Sequence, residues 1–261
     1  MHSSKLDEKT GRAILPAEWP RYVAHRGAST LAPENSLAAF AKARSLGARA
    51  VELDVHLCAT GELVVAHDQW LDRIAGIHAR IEETAWDDLR AIDTGSFFNK
   101  KFPESANTDF AKERIPTLDE VFEILGPDIC VDVEMKSGSF FCEPLARATA
   151  ECIARNGRKN CIVSSFNPAA LRYYRKFGAE PTAAIYCGEK EAPWYMRHRE
   201  CLYLSGADIK KPDWKTASGA RRYETGKKPV MVWTVDSRDE AAELLENGVT
   251  SVITNRIQDF L

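Results

Sequence analysis

The sequence predicts an α/β protein, a (β/α)8 TIM barrel with a small insertion after strand two. Apolar strand-like runs alternate with helical stretches closed by glycine, the pattern of parallel βαβ units. The runs suffice for the eight strands of a closed barrel. Titratable residues fall at the C-terminal ends of early runs, in His25-Arg26-Gly27, His67-Asp68 and Glu134-Met135-Lys136. A (β/α)8 barrel builds its active site at that end of its strands.

Strand one is expected over Arg21–Arg26. Asn35 or Ser36 then caps a helix whose apolar positions Leu37, Phe40, Ala41 and Leu46 follow helical spacing until Gly47. Strand two is Arg49–His56; Thr60-Gly61 makes a turn and Glu62–Ala66 returns. From Leu71 to about 116 the periodicity weakens around one short helix, Trp86–Ile92, which reads as an insertion folded as a lid or small subdomain over the site. Alternation then resumes with helix Leu118–Leu125, strand Ile129–Met135, helix Cys142–Asn156, strand Cys161–Ser164 and helix Pro168–Phe177. Strand Pro181–Tyr186, a short helix Pro193–Arg199, a sixth strand over Cys201–Ile209 and a helix Trp214–Tyr223 come next. Strand Pro229–Val235, a helix Arg238–Glu246 capped by Ser237, and strand Val249–Thr254 complete the set.

With 261 residues, 44% of them hydrophobic and 28% charged, the chain is long enough for one large core, taken as residues 21–261 after a polar leader over 1–20. A net charge of -3 gives no whole-surface case for nucleic acid or an anionic membrane, so phosphate recognition must be local. The leader lacks the apolar segment of a signal peptide, and no stable membrane association is expected. The seven cysteines are odd in number and without CxxC spacing, which reads as buried thiols in a reducing cytoplasm. Oligomeric state is not legible.

At a strand's two-residue period Glu52, Asp54 and His56 share one face, with Val51, Leu53 and Val55 on the other; Asp132, Glu134 and Lys136 share a face of a second strand. Unpaired buried carboxylates are costly, so this pattern suggests a bound cation, although salt-bridged strands produce the same pattern. His25 and His67 are side chains whose ordinary titration suits acid and base work near neutral pH.

Those segments, in order, resemble the glycerophosphodiester phosphodiesterases: His25-Arg26-Gly27 with Pro33-Glu34-Asn35-Ser36, Glu52-Leu53-Asp54-Val55, His67-Asp68, Ile115-Pro116-Thr117-Leu118-Asp119-Glu120, Glu134-Met135-Lys136, Ser165-Phe166-Asn167 and Val232-Trp233-Thr234-Val235-Asp236. The resemblance covers about residues 22–260. It implies a (β/α)8 barrel with a small insertion after strand two, one divalent cation, Mg2+ or Ca2+, and hydrolysis of glycerophosphodiesters to sn-glycerol 3-phosphate and an alcohol. Carried over residue by residue, Glu52, Asp54 and Glu134 are the metal ligands and His25 and His67 the acid and base catalysts. Arg26 and Lys136 neutralise phosphoryl oxygens, and Trp233 packs by the glycerol moiety. The glycerol 2-hydroxyl is the expected first nucleophile, giving a cyclic phosphate that water opens.

The chain departs from the family pattern at Thr60, Asn255 and Lys211. Thr60 and Asn255 are expected to change local hydrogen bonding only; Lys211 would add a cation near the rim or alter the alcohol pocket. Two further readings stand beside the favoured one. A lysophospholipase D-like or phosphoinositide-phospholipase-like enzyme would want an apolar rim, which the sequence does not display. A non-catalytic barrel that binds phosphorylated ligands would not need His25, His67 and the acidic set intact.

Overall fold

The computed structural model describes residues 15–16, 19–188, 193–197, 199–215 and 228–261. Eight parallel strands form one sheet: β1 Tyr22–His25, β2 Ala50–Leu57, β4 Cys130–Met135, β5 Cys161–Ser165, β6 Thr182–Tyr186, β7 Ile209–Pro212, β8 Met231–Val232 and β9 Ser251–Thr254. Their order is β7-β6-β5-β4-β2-β1-β9-β8, and β3 (Leu63–Val65) runs antiparallel against β2. Parallel bridges from Lys210 to Val230 and from Asp213 to Trp233 join the two ends, so the sheet closes into the expected TIM barrel.

The barrel's interior is organised by the two-residue period. Val23, Ala50, Cys130, Ile162, Ala183, Ile209, Met231 and Ile253, one from each parallel strand, form a buried apolar cluster. Two residues further along each strand, on the same face, stand His25, Glu52, Asp132, Ser164, Ile185, Lys211, Trp233 and Asn255. The same eight strands thus change from an apolar floor to a polar upper layer in one step. Their outward residues, among them Val51, Leu53, Val131, Val133 and Val163, join the main core with the helices.

Those helices include α1 Leu37–Ser45, α5 Leu118–Leu125, α6 Glu143–Arg155, α7 Pro168–Phe177, α8 Glu200–Ser205 and α9 Arg238–Glu246; three shorter ones lie between β3 and α5, namely α2 Asp72–Ala75, α3 Trp86–Leu89 and α4 Gly95–Lys101. Ser36 caps α1 by accepting from the Ala39 amide. Thr117 and Glu120 form a reciprocal capping box on α5. The segment between β3 and α5 has a small apolar cluster of its own around Leu71, Ile81, Leu89 and Ile115. This matches the break in periodicity read as an insertion.

Three sequence assignments change. Cys201–Ile209 is not a strand: α8 occupies its first half, with Cys201, Leu202 and Ser205 buried, and ends at Gly206 with φ 66°. The strand is Ile209–Pro212, paired with β6 from Ala183 to Tyr186. The run Cys-Leu-Tyr-Leu is apolar enough for either element, and the left-handed glycine behind it favours the helix. Pro193–Arg199 shrinks to a 3-10 turn at Trp194–Met196, and the helix at Trp86 stops at Leu89. Most of the expected leader and of the helix Trp214–Tyr223 lies outside the described residues.

All seven cysteines are buried, and none is in a disulfide. Burial pushes the thiols of Cys152, Cys161 and Cys201 up to about 12, so at neutral pH they are protonated and poor nucleophiles. Ellman's reagent at pH 7.5 is expected to leave the native protein unlabelled over minutes and to titrate all seven thiols in guanidinium. Rapid native labelling of any of those three would contradict their placement in the core.

Candidate active site at the barrel mouth

Alternation on β2 and β4 turns Glu52, Asp54, Asp132 and Glu134 into the barrel, where all four are buried. Ligand atoms of Glu52, Asp54 and Glu134 lie within 4.8 Å of one another. Arg26, Lys136 and Lys211 are the cations set against them. Lys136 Nζ is 3.0 Å from Asp54 Oδ1 and 2.5 Å from Glu134 Oε1; Arg26 Nε is 3.3 Å from Asp54 Oδ2. Burial alone would raise Asp54, but Lys136 and Arg26 hold its carboxyl well below the usual carboxylate range. Glu52 moves the other way, raised by burial and by the charge of Asp54 beside it.

Lys211 is the largest departure from the sequence reading. It is in phase with Ile209 of the floor, so it points into the barrel and not to the rim, and is 2% exposed. Its ammonium is 2.8 Å from Asp132 Oδ2, 3.9 Å from Glu52 Oε1 and donates to Ser164 Oγ at 3.1 Å; Ser164 Oγ in turn donates to Asp132 Oδ1 at 2.6 Å. Burial works against its charge, and Asp132 and Glu52 nevertheless keep it raised.

The β1–α1 turn brings the next residues in. Arg26 and Asn35 both take left-handed backbone, each at φ 56°. Gly27 follows Arg26 at φ 80°, and a Cβ there would meet the Ala39 carbonyl carbon at 2.8 Å, so α1 can approach only a glycine. Asn35 Nδ2 donates to Asp54 Oδ2 at 2.8 Å, orienting that carboxylate. The sequence marked Asn35 only as a helix cap; Ser36 is the cap.

The two histidines are fixed by one ring nitrogen each. His25 Nδ1 is 2.6 Å from Asn255 Oδ1, and Asn255 Nδ2 donates to Asp236 Oδ2 at 2.9 Å. Asp236 therefore sets which way the amide faces, Asn255 accepts from His25 Nδ1–H, and His25 Nε2 is left bare, 3.8 Å from Glu52 Oε2. Burial, helped by Arg26, lowers His25 to about 4. His67 Nδ1 donates to Asp68 Oδ1 at 2.6 Å, and that bond draws Asp68 well below its ordinary range, with Arg73 at 2.5 Å adding to it. His56 bonds Glu82 at 2.9 Å and lies 3.3 Å from the His67 carbonyl, a bracing position for the chain that carries His67.

Asn255, expected to matter only locally, thus holds one of the two histidines; its sequence signals were its place at the end of the last strand and its departure from the family pattern. Thr60 does stay local, accepting from the Trp86 amide at 3.0 Å. Trp233 directly follows β8, donates from its indole to the Lys211 carbonyl at 3.0 Å and meets Phe166 edge-on at 5.5 Å. A cleft of about 710 Å3 runs from Arg26, His67 and Asn255 to the segment between β3 and α5, where Ile74, Phe97, Phe98 and Phe102 line it beside Arg73 and Lys101. An apolar wall with cations is therefore present, contrary to the sequence reading.

The fold and site define a TIM-barrel protein with a buried acid cluster, paired cations and two oriented histidines at the C-terminal ends of its strands. The chain belongs to the glycerophosphoryl diester phosphodiesterase family, whose model matches residues 25–259. It is 34% identical over 237 residues to a glycerophosphodiester phosphodiesterase of Caldanaerobacter subterraneus subsp. tengcongensis, which covers 89% of this chain and 93% of the relative. A Bacillus subtilis glycerophosphodiester phosphodiesterase is 24% identical over 246 residues, 89% of this chain and 82% of its own length. Among solved structures, a phosphodiesterase from Oleispira antarctica in complex with the product sn-glycerol-3-phosphate superposes with a TM-score of 0.78 at 24% identity, covering 92% of this chain and 94% of that one.

The acid cluster fits a divalent cation. Asp54 Oδ1 and Glu134 Oε1 are buried and accept no well-formed hydrogen bond, and hard oxygen donors suit Mg2+ or Ca2+. A cation bound there adds stability in proportion to its occupancy, about 2.7 kcal/mol at one hundred times its Kd. Thermal unfolding is therefore expected to shift upward with saturating Mg2+ or Ca2+ and back with EDTA. Glu52→Gln combined with Asp54→Asn should abolish the shift. An equal shift in that variant would place the cation elsewhere.

Proposed function

We propose that this chain hydrolyses glycerophosphodiesters such as glycerophosphocholine or glycerophosphoethanolamine, yielding sn-glycerol 3-phosphate and an alcohol. The observation that carries this reading is the convergence of the oriented His25 and His67, the Glu52–Asp54–Glu134 cluster and Lys136 in a chain of this family. Glu52, Asp54 and Glu134 would hold one divalent cation, which when bound supplies Lewis-acid polarisation of the phosphoryl group. Arg26 and Lys136 present positive charge to the phosphoryl oxygens as negative charge builds there. Trp233 flanks the glycerol, and the aromatic-walled cleft leaves room for the departing alcohol.

The hydrogen-bond chain Asp236–Asn255–His25 gives the histidines distinct opening roles in this proposal. With Nδ1 donating to Asn255, neutral His25 offers the Nε2 lone pair and takes the proton from the glycerol 2-hydroxyl. His67, held through Nδ1 by Asp68, exchanges its proton at Nε2 and delivers it to the leaving alkoxide. The roles reverse when water opens the cyclic phosphate. His25→Ala and His67→Ala should each lower kcat about 10²-fold or more, with the circular dichroism and the cation-dependent thermal shift retained. An unaltered rate in either variant would remove that residue from the mechanism.

Attack by a neighbouring hydroxyl has a large proximity advantage that a substrate without it forfeits. Choline release from glycerophosphocholine is therefore expected to exceed that from its 2-deoxy analogue by about 10²-fold or more in kcat/KM. Equal values would mean direct attack by water. The wall of Phe97, Phe98 and Phe102 supports a second reading, cleavage of lysophospholipids. Lysophosphatidylcholine in the same assay series separates the two: turnover above that of glycerophosphocholine would move the assignment to lipid substrates.

A further inference from the structure

The largest exposed apolar side chains outside the site gather on one side of the barrel. Phe141, at the loop between β4 and α6, is 93% exposed and its neighbour Phe140 is 55% exposed; Trp194, between β6 and α8, is 63% exposed. These loops follow the C-terminal ends of their strands, so they stand on the mouth side of the barrel. Phe140 lies 5.4 Å from Tyr195, and Tyr195 lies 5.9 Å from Trp194, so the two loops meet as one aromatic cluster. Phe140 also begins a groove of about 770 Å3 down the outer wall between α7 and α8, where Tyr203 is 74% exposed.

That groove's lining has a definite charge. Arg172, Arg175 and Lys176 of α7 border it and, among the described residues, no carboxylate does, although the chain as a whole carries a net charge of -3. Fully exposed aromatics cost free energy in water and gain it where a ring can sit among lipid head groups, the position Trp and Tyr favour at membrane interfaces. Cations beside them are attracted to anionic lipid. A second copy of this chain is the poorer occupant, because a two-fold contact would place the same three cations against each other.

We propose that the Phe140–Phe141 and Trp194–Tyr195 loops, with the cationic α7 wall, form a docking surface for an anionic lipid bilayer. The association is peripheral and reversible, with the aromatic rings in the head-group layer. No described helix is long and apolar enough to cross a membrane, so adsorption of this kind requires no span. The surface lies on the same end of the barrel as the site but uses none of its residues, and the proposal is independent of which diester is cleaved.

The test is co-sedimentation with vesicles of phosphatidylcholine alone and of phosphatidylcholine mixed with phosphatidylglycerol. The wild type is expected to pellet with the mixed vesicles, to bind phosphatidylcholine weakly and to be released as salt rises. The double variant Phe141→Ser with Trp194→Ser should partition at least about tenfold less, since it gives up the burial of two large rings. Its turnover of soluble glycerophosphocholine without vesicles should be unchanged. Lys176→Gln, which keeps every aromatic, should weaken binding to the mixed vesicles alone and serves if the double variant misfolds. Failure of the wild type to bind mixed vesicles, or equal binding by the variants, overturns the proposal. So does a concentration-dependent dimer by sedimentation velocity that the double variant loses, which would assign the face to protein contact.

Discussion

Four carboxylates buried inside one barrel must be neutralised, and much of the local structure follows from how that is done. Glu52, Asp54, Asp132 and Glu134 come from adjacent strands in parallel register, which places Glu52 opposite Asp132 and Asp54 opposite Glu134. Buried charges so close are tolerable only if opposed by fixed cations. Lys211 and Ser164 answer Asp132; Lys136 and Arg26 answer Asp54 and Glu134. Holding Arg26 there requires its left-handed backbone, a glycine after it, and close contact with α1. The first helix is thereby positioned by the electrostatics of the barrel as well as by its apolar face.

The site has two unequal halves. The acid cluster belongs to rigid, fully paired strands, whereas His67 follows the short β3 and depends on side chains around it. Asp68 holds its ring, Arg73 holds Asp68 and reaches Glu34 at 2.6 Å, and His56 braces the adjoining chain. Glu34 in turn accepts from Arg26 at 2.9 Å. This network couples the segment between β3 and α5 to the residue beside the acid cluster. A disturbance at Arg73 would therefore reach both a histidine and the cation next to Asp54.

How much of this was legible in the sequence depended on whether a residue's signal was local. The triad could be read because alternation on β2 and β4 is a property of five or six consecutive residues, and the histidines because each follows directly on an apolar run. Lys211 was misplaced because its register could be fixed only after the strand was located at Ile209–Pro212, and the neighbouring Cys-Leu-Tyr-Leu suits helix or strand. Asn35 and Asn255 were seen, but their partners Asp54 and His25 are remote in sequence and no local pattern names them. The aromatic wall of the cleft was hidden for a similar reason: Phe97 and Phe98 lie on α4 and Phe102 directly follows it, and the facing of that helix is set by its packing near the barrel mouth.

The pairing of His25 with Asn255 spans 230 residues, and β1 lies between β2 and β9 in the closed sheet. During synthesis the first strand must wait for one of its two neighbours until the 230 residues that separate His25 from Asn255 have been made. Until then the nascent polypeptide can assemble the acid cluster on β2 and β4, yet β1 has an open edge and His25 lacks its orienting partner. Such a late, long-range closure slows folding and leaves a sticky strand exposed. Ribosome-bound forms of this chain should therefore carry that open edge until β9 emerges, and catalytic competence cannot precede the pairing of β1 with β9.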